Sequence, residues 1–174
     1  MKLGILLGLV IALPIFAATT YGVVASGCIN PGADEAIPPI ERWAAKTSLR
    51  AYLKANVPKK NNPVPVTDEN LQEGAKLYLN NCATCHGFAD KKRSDTALGL
   101  YKDPPLFVNE DWSKDDDNKV YWFISHGVRL TGMPAYNKTL KEDQMWKIVM
   151  FIKHMEALPA ATDTLWKNAK PQEF

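Results

Sequence analysis

No stretch of this chain of 174 residues alternates apolar and polar side chains over any length, which excludes a fold built on half-buried strands. Surplus charge of either sign is also missing. Twenty-one basic side chains face nineteen acidic ones, so the chain has no broad electrostatic footprint for nucleic acid, and that class of partner drops out. Cysteine is scarce at three and histidine equally so at three. The length allows one ordinary domain with an appendage and nothing larger.

Charge is absent altogether from Leu3 to Ala25, and three readings of this segment stay open. A transmembrane helix needs about 20 mainly apolar residues, which the run supplies, and Pro14 is tolerable inside one. A cleaved secretory signal is the second reading, with Lys2 as a minimal positive region, although its apolar part is usually about 7–15 residues. The third is a lipoprotein signal: "ASGC" resembles the lipobox, with Cys28 as the lipidated residue and Ala25 where that motif usually has Leu, Val or Ile. All three readings export the rest of the chain. Charge counting does not set the orientation, because Lys2 precedes the run while Arg42, Lys46, Arg50 and Lys54 follow it.

The remainder reads as helices joined by turns. "NPGADEAIPP" from Asn30 to Pro39 is an exit linker, and the apolar spacing that follows predicts a helix over about residues 40 to 55. "VPKKNNPVPV" ends it. Six basic and three acidic side chains in residues 34–66 read first as a solvated face, with lipid headgroup contact as the other reading. A second helix starts after Thr67, whose hydroxyl caps it, and runs into the cysteines. Ser113 is positioned to cap a third, which Gly127 ends. Thr139 and Glu142 have capping-box spacing for a last helix, and Pro159 closes it. The expected organisation is a membrane anchor or signal over 1–27, a connector over 28–66 with one helix and a Pro-rich linker, an all-α domain over 67–158, and a tail over 159–174.

Two of the three cysteines stand three apart in "NNCATCHG", and the second is followed directly by histidine. Cys82, Cys85 and His86 form C-x-x-C-H, the attachment signature of a c-type haem. Two thiols at this spacing add to the two vinyl groups on one porphyrin edge, and the adjacent imidazole is carried beneath the iron. A thioredoxin-like redox pair expects a βαβ context, and a zinc site needs a second ligand pair. The sequence has neither companion.

With these residues the chain resembles class I cytochrome c, in a monohaem, membrane-anchored bacterial form, over about Thr67 to Leu158. "TGMPAY" at 131–136 looks like the family's distal segment, Gly74 and Tyr78 like the glycine and aromatic of its N-terminal helix, and Ile148 and Phe151 like the matching pair of its C-terminal helix. The resemblance implies a cytochrome c fold around one covalent haem c, and Met133 as sixth iron ligand. It also implies that the two helices cross where Gly74 lets their backbones approach. "DPPL" resembles the loop whose proline carbonyl accepts the proximal histidine Nδ1–H, which puts that role on Pro104.

The residues by themselves agree about Met133 less specifically, since a methionine in a turn is usually a gap-filling contact. Gly132 and Pro134 make its loop stiff, and His/Met ligation raises the potential relative to harder ligand pairs. His126 is the rival ligand, read as a surface imidazole at a helix end, and His154 reads as solvated. Arg129 has reach for a haem propionate through a charge-assisted bond, with an ordinary exposed arginine as the even alternative. Trp122 and Trp146 read as packing residues. The "KKR" run at 91–93 can steer an acidic partner, but residues 67–158 carry fourteen acidic against twelve basic side chains, which favours a solvated loop.

With both axial positions filled by protein, the iron has no open site. The expectation is an electron carrier and not an enzyme, tethered to the bacterial cytoplasmic membrane with its haem domain in the periplasm or on the exterior. Its partners would be redox proteins of a respiratory chain. A fixed cytochrome subunit of a larger membrane oxidoreductase complex is the alternative, and a ligand-binding or peroxidase-like haem protein is a third.

Overall fold

The computed structural model of the chain describes residues 2–109 and 111–170. All regular structure among them is helical. Two compact units divide between Glu35 and Ala36. The first contains helix α1, Lys2–Ala25, with Pro14 inside it. The side chains of residues 2, 3, 5, 6, 7, 9 and 109 lie outside the described set. Among the described residues no helix is long and apolar enough to cross a membrane.

The second unit is organised around the crossing of α3, Asp68–Asn81, with α7, Glu142–His154. Thr67 caps α3 as its sequence predicts, the Oγ1 accepting from the Asn70 N–H at 3.2 Å. Gly74 sits at the crossing. A Cβ there would collide with the Lys147 carbonyl oxygen and lie 3.1 Å from Phe151 Cβ, so only glycine admits this approach. Seven α7 side chains are buried, from Met145 and Trp146 to Ile152. Lys147 closes the rim with Glu73 at 2.7 Å.

Helix α6, Asp117–His126, packs on α7 with Tyr121 stacked on Trp146 at 4.1 Å. Two helix starts differ from the sequence reading. Asp116, not Ser113, caps α6 by accepting from the Asn118 N–H at 3.0 Å, because the Ser113 backbone and hydroxyl are both turned onto Asp111 Oδ1. Before α7, Thr139 turns its hydroxyl to the Tyr136 carbonyl, and the Lys141 N–H donates to Gln144 Oε1 at 2.9 Å. Gly127 ends α6 as expected, at φ +63°.

Two segments outside the expected domain are part of this unit. Helix α2, Pro39–Asn56, begins with proline at its first turn, has no buried residue, and meets the rest through Tyr101, which donates to Glu41, and Tyr52, 5.7 Å from Trp122. The Pro-rich connector after it is fastened by Asn62, donating to the Trp146 carbonyl at 3.0 Å, and by Asn118, donating to the Lys60 carbonyl. The tail expected over 159–174 contains helix α8, Ala160–Asn168, packed on α3. Its Trp166 is buried with its ring 5.6 Å from Tyr78 and 5.4 Å from Phe151. Leu165 and Trp166 were the signal for this burial, but a helix of nine residues shows too little periodicity to be read.

Candidate functional site

Helix α3 stops at Cys82, whose φ of −120° breaks it, and one further turn, α4 (Ala83–His86), carries the motif. The Cys85 and His86 amides both donate to the Cys82 carbonyl, at 3.1 and 2.9 Å, so the two thiols and the imidazole are set on one turn of backbone. Both thiols are free. Cys82 is buried, and burial together with the neighbouring Cys85 pushes its thiol up to about 12. Burial raises Cys85 in the same direction. Cys28 is free and exposed.

Gly87 follows at φ +94°, ψ 155°, a conformation open essentially to glycine alone. A Cβ there would lie 2.8 Å from Leu106 Cδ2, and its carbonyl accepts from the buried Tyr78 hydroxyl at 3.0 Å. The glycine after the histidine thus joins α3, the motif and the proline loop.

The half-buried His86 ring lies flat on Phe107, centroids 4.4 Å apart and planes 8° apart. Its Nδ1 is 2.9 Å from the Pro105 carbonyl oxygen. The acceptor is therefore Pro105 and not Pro104, where the family resemblance had put it. The Pro104 carbonyl points elsewhere and accepts from Arg93 Nη1 at 2.8 Å, since successive carbonyls of an extended chain face different ways and a shift of one residue changes the partner. Burial lowers the His86 pKa, opposed by this hydrogen bond, and so favours the neutral ring. With Nδ1–H donated to Pro105, the lone pair is on Nε2, the atom free to ligate.

The distal segment is a tight loop. The Val128 N–H donates to the Met133 carbonyl at 3.3 Å, and the Met133 N–H to Thr131 Oγ1 at 3.2 Å. A Cβ on Gly127 would lie 2.5 Å from the Met133 carbonyl and 2.7 Å from the Pro134 backbone. Gly132 lies against the Leu100 side chain, just beyond α5, Asp95–Leu98, which packs on α4. The Tyr136 hydroxyl reaches the Asn81 carbonyl, one residue before Cys82. Burial, with Cys82 and Cys85 next, raises the Tyr136 pKa to about 12. These two ties link the distal loop to the motif region.

Met133 is half-buried. Arg129 is exposed and makes no hydrogen bond or ion pair among the described residues. His126 is exposed at the α6 terminus, stacked on Trp122 at 5.1 Å, and His154 has Nδ1 2.8 Å from the Met150 carbonyl. A cavity of about 330 Å³ lies behind Phe107, between that segment and the ends of α7 and α8, and holds none of the motif residues.

These residues fit a covalently held haem: two unpaired thiols, an imidazole with its tautomer set for ligation, and exposed leucines on both flanking segments, Leu98 and Leu130, that offer apolar contact to a flat ring. Sequence reasoning missed Gly87, Pro105, Arg93, Ser94 and Tyr136 as residues that build the site. Gly87, Pro105 and Tyr136 stood inside the quoted motifs and Arg93 inside the quoted basic run, but the contacts that give all five their roles are made between segments.

Residues 69–152 match the family described as "Cytochrome C oxidase, cbb3-type, subunit III". No curated protein matches the chain. Among solved structures it is similar to a chain of the Kuenenia stuttgartiensis reducing HAO-like protein complex Kustc0457/Kustc0458, with 19% identity over 71% of this chain and 62% of that one and a TM-score of 0.42, a likeness too slight to bear on function.

Proposed function

The chain carries a class I-like c-type cytochrome domain over residues 69–152, and from that premise we propose that it transfers single electrons through one haem c bound by Cys82 and Cys85. The observation that carries this reading is the His86 Nδ1 contact with Pro105 on a turn bearing two free thiols. In this proposal His86 and Met133 would ligate the haem iron, and Arg129, which makes no hydrogen bond or ion pair among the described residues, would pair with a propionate. A haem bound there supplies one-electron oxidation and reduction of its iron. The chain's own residues hold the ring covalently, fix the His86 tautomer and keep the distal loop stiff through Gly127 and the Thr131 bonds.

In the same proposal the uncharged run Leu3 to Ala25 tethers the protein to the bacterial cytoplasmic membrane, with the haem domain on the periplasmic or exterior side. Redox proteins on that side are its partners. A second reading makes the chain a fixed cytochrome subunit of a membrane oxidoreductase complex, and the description of the matching family as an oxidase subunit favours it. Detergent extraction and sizing separate the two, since a carrier elutes alone. Intact mass of the extracted protein distinguishes a full-length anchor, a lipidated product starting at Cys28 and a shorter cleaved one.

The central test is chemical. Denatured wild-type protein should keep haem through an acid-acetone wash, and the Cys82→Ala, Cys85→Ala double variant should lose it. Retention by the double variant refutes covalent attachment. Met133→Ala should abolish the weak far-red thioether-to-ferric band, lower the reduction potential and admit CO to the ferrous protein. A His126→Ala variant that did this instead would transfer the ligand role to His126.

A further inference from the structure

We propose that Arg93 and Ser94 are a paired positioning clamp that holds His86 and its hydrogen-bond acceptor on one frame; this rests on the haem reading above. The two residues are adjacent, and one bonds the proline loop that accepts from the imidazole while the other bonds the turn that carries it. Arg93 Nη1 donates to the Pro104 carbonyl at 2.8 Å, a bond strengthened by the guanidinium charge. Ser94 Oγ donates to the carbonyl of Thr84, which stands between the two cysteines, and accepts from the Ala97 N–H at 3.1 Å, so the serine is itself held by the first turn of α5.

The proline pair makes this grip effective. Pro104 and Pro105 have no N–H, so their carbonyls are the only backbone handles this shelf offers. Arg93 takes the first and His86 the second. Between the two carbonyls lie a trans planar peptide and the Pro105 φ, which its ring locks. One soft torsion, the Pro105 ψ, then separates them, so holding the Pro104 oxygen largely aims the Pro105 oxygen. The Ser94 bond fixes the turn that carries His86 against the same two residues.

The basic run at 91–93 divides accordingly. Lys91 and Lys92 are exposed, while Arg93 is half-buried and turned inward. The clamp keeps the His86 Nδ1–H donating to the Pro105 carbonyl, which sets how strongly Nε2 donates to a metal.

The test uses full-length holoprotein in detergent, with Arg93→Met compared against Lys92→Met, which removes the same charge one residue away without touching Pro104. Solvent exchange of the His86 Nδ1 proton, followed by NMR of ¹⁵N-histidine-labelled reduced protein, should quicken about fivefold or more in Arg93→Met, the factor for losing one net hydrogen bond. It should stay unchanged in Lys92→Met. The reduction potential of Arg93→Met should lie above that of Lys92→Met, because a loosened Nδ1–H···O bond makes a poorer electron-donating imidazole, whereas charge loss alone lowers the potential.

Wild-type exchange in Arg93→Met, or a potential equal to that of Lys92→Met, overturns the clamp and leaves Arg93 as a surface charge. If Arg93→Met does not mature, Ser94→Ala carries the test: it should also quicken exchange, and wild-type exchange there overturns the proposal. A wild-type protein without covalent haem refutes the haem reading instead, so the two failures are distinguishable.

Discussion

Gly74→Ala sets two opposing effects against each other in the α3–α7 crossing. Alanine is favoured over glycine inside a helix by about 1 kcal/mol. Against this, the new Cβ would overlap the Lys147 carbonyl oxygen, lie 2.9 Å from its carbon and 3.1 Å from Phe151 Cβ. Two of these three atoms are backbone, so no side-chain rotation relieves the overlap and the helices must separate. Separation loosens the packing of Tyr78 on Phe151, now 5.3 Å between centroids. Overpacking of this kind costs about 1–3 kcal/mol, and a backbone clash belongs at the upper end. The net loss is about 2 kcal/mol, which for a domain of this size lowers Tm by roughly 10 °C.

Urea denaturation of the holoprotein followed by far-ultraviolet circular dichroism should show a lower midpoint with unchanged slope. Gly99→Ala is the control, since its Cβ meets nothing closer than 3.6 Å at φ −83°, and it should be neutral or slightly stabilising. A Gly74→Ala protein as stable as the wild type, or more stable, would mean that propensity outweighs the crossing and that the close approach is not needed.

Trp166→Ala should cost about 3–5 kcal/mol, read as a lower thermal midpoint, because it empties the space beside the Tyr78–Phe151 pair; a loss under about 1 kcal/mol would show that α8 adds little to the core. Gly87→Ala should reduce the yield of covalently attached haem, measured by pyridine haemochrome against total protein. The substitution forces a side chain into a backbone region costing about 1–3 kcal/mol and against Leu106, and a normal yield would show that the Tyr78–Gly87–Leu106 junction does not build the site.

The sequence by itself determined what depends on neighbours along the chain. C-x-x-C-H is a local chemical unit, so the attachment turn could be read from five residues. The Thr67 cap, the α6 stop at Gly127 and the apolar face of α7 follow from local capping and helical periodicity. Gly74 was legible only through the resemblance to class I cytochrome c, which implies a glycine where the two terminal helices cross. Register and long-range pairing were not legible. Pro104 and Pro105 are chemically alike, and only the path of the loop decides which carbonyl meets His86. Arg93 reads as one cation in a solvated run until the fold brings Pro104 to it, eleven residues on. Nor does a short amphipathic segment such as α8 declare its burial before α3 and α7 supply the surface it covers. Covalent and local constraints act within a few bonds or one helical turn, whereas hydrogen-bond partners across segments are chosen by the packing of the whole unit.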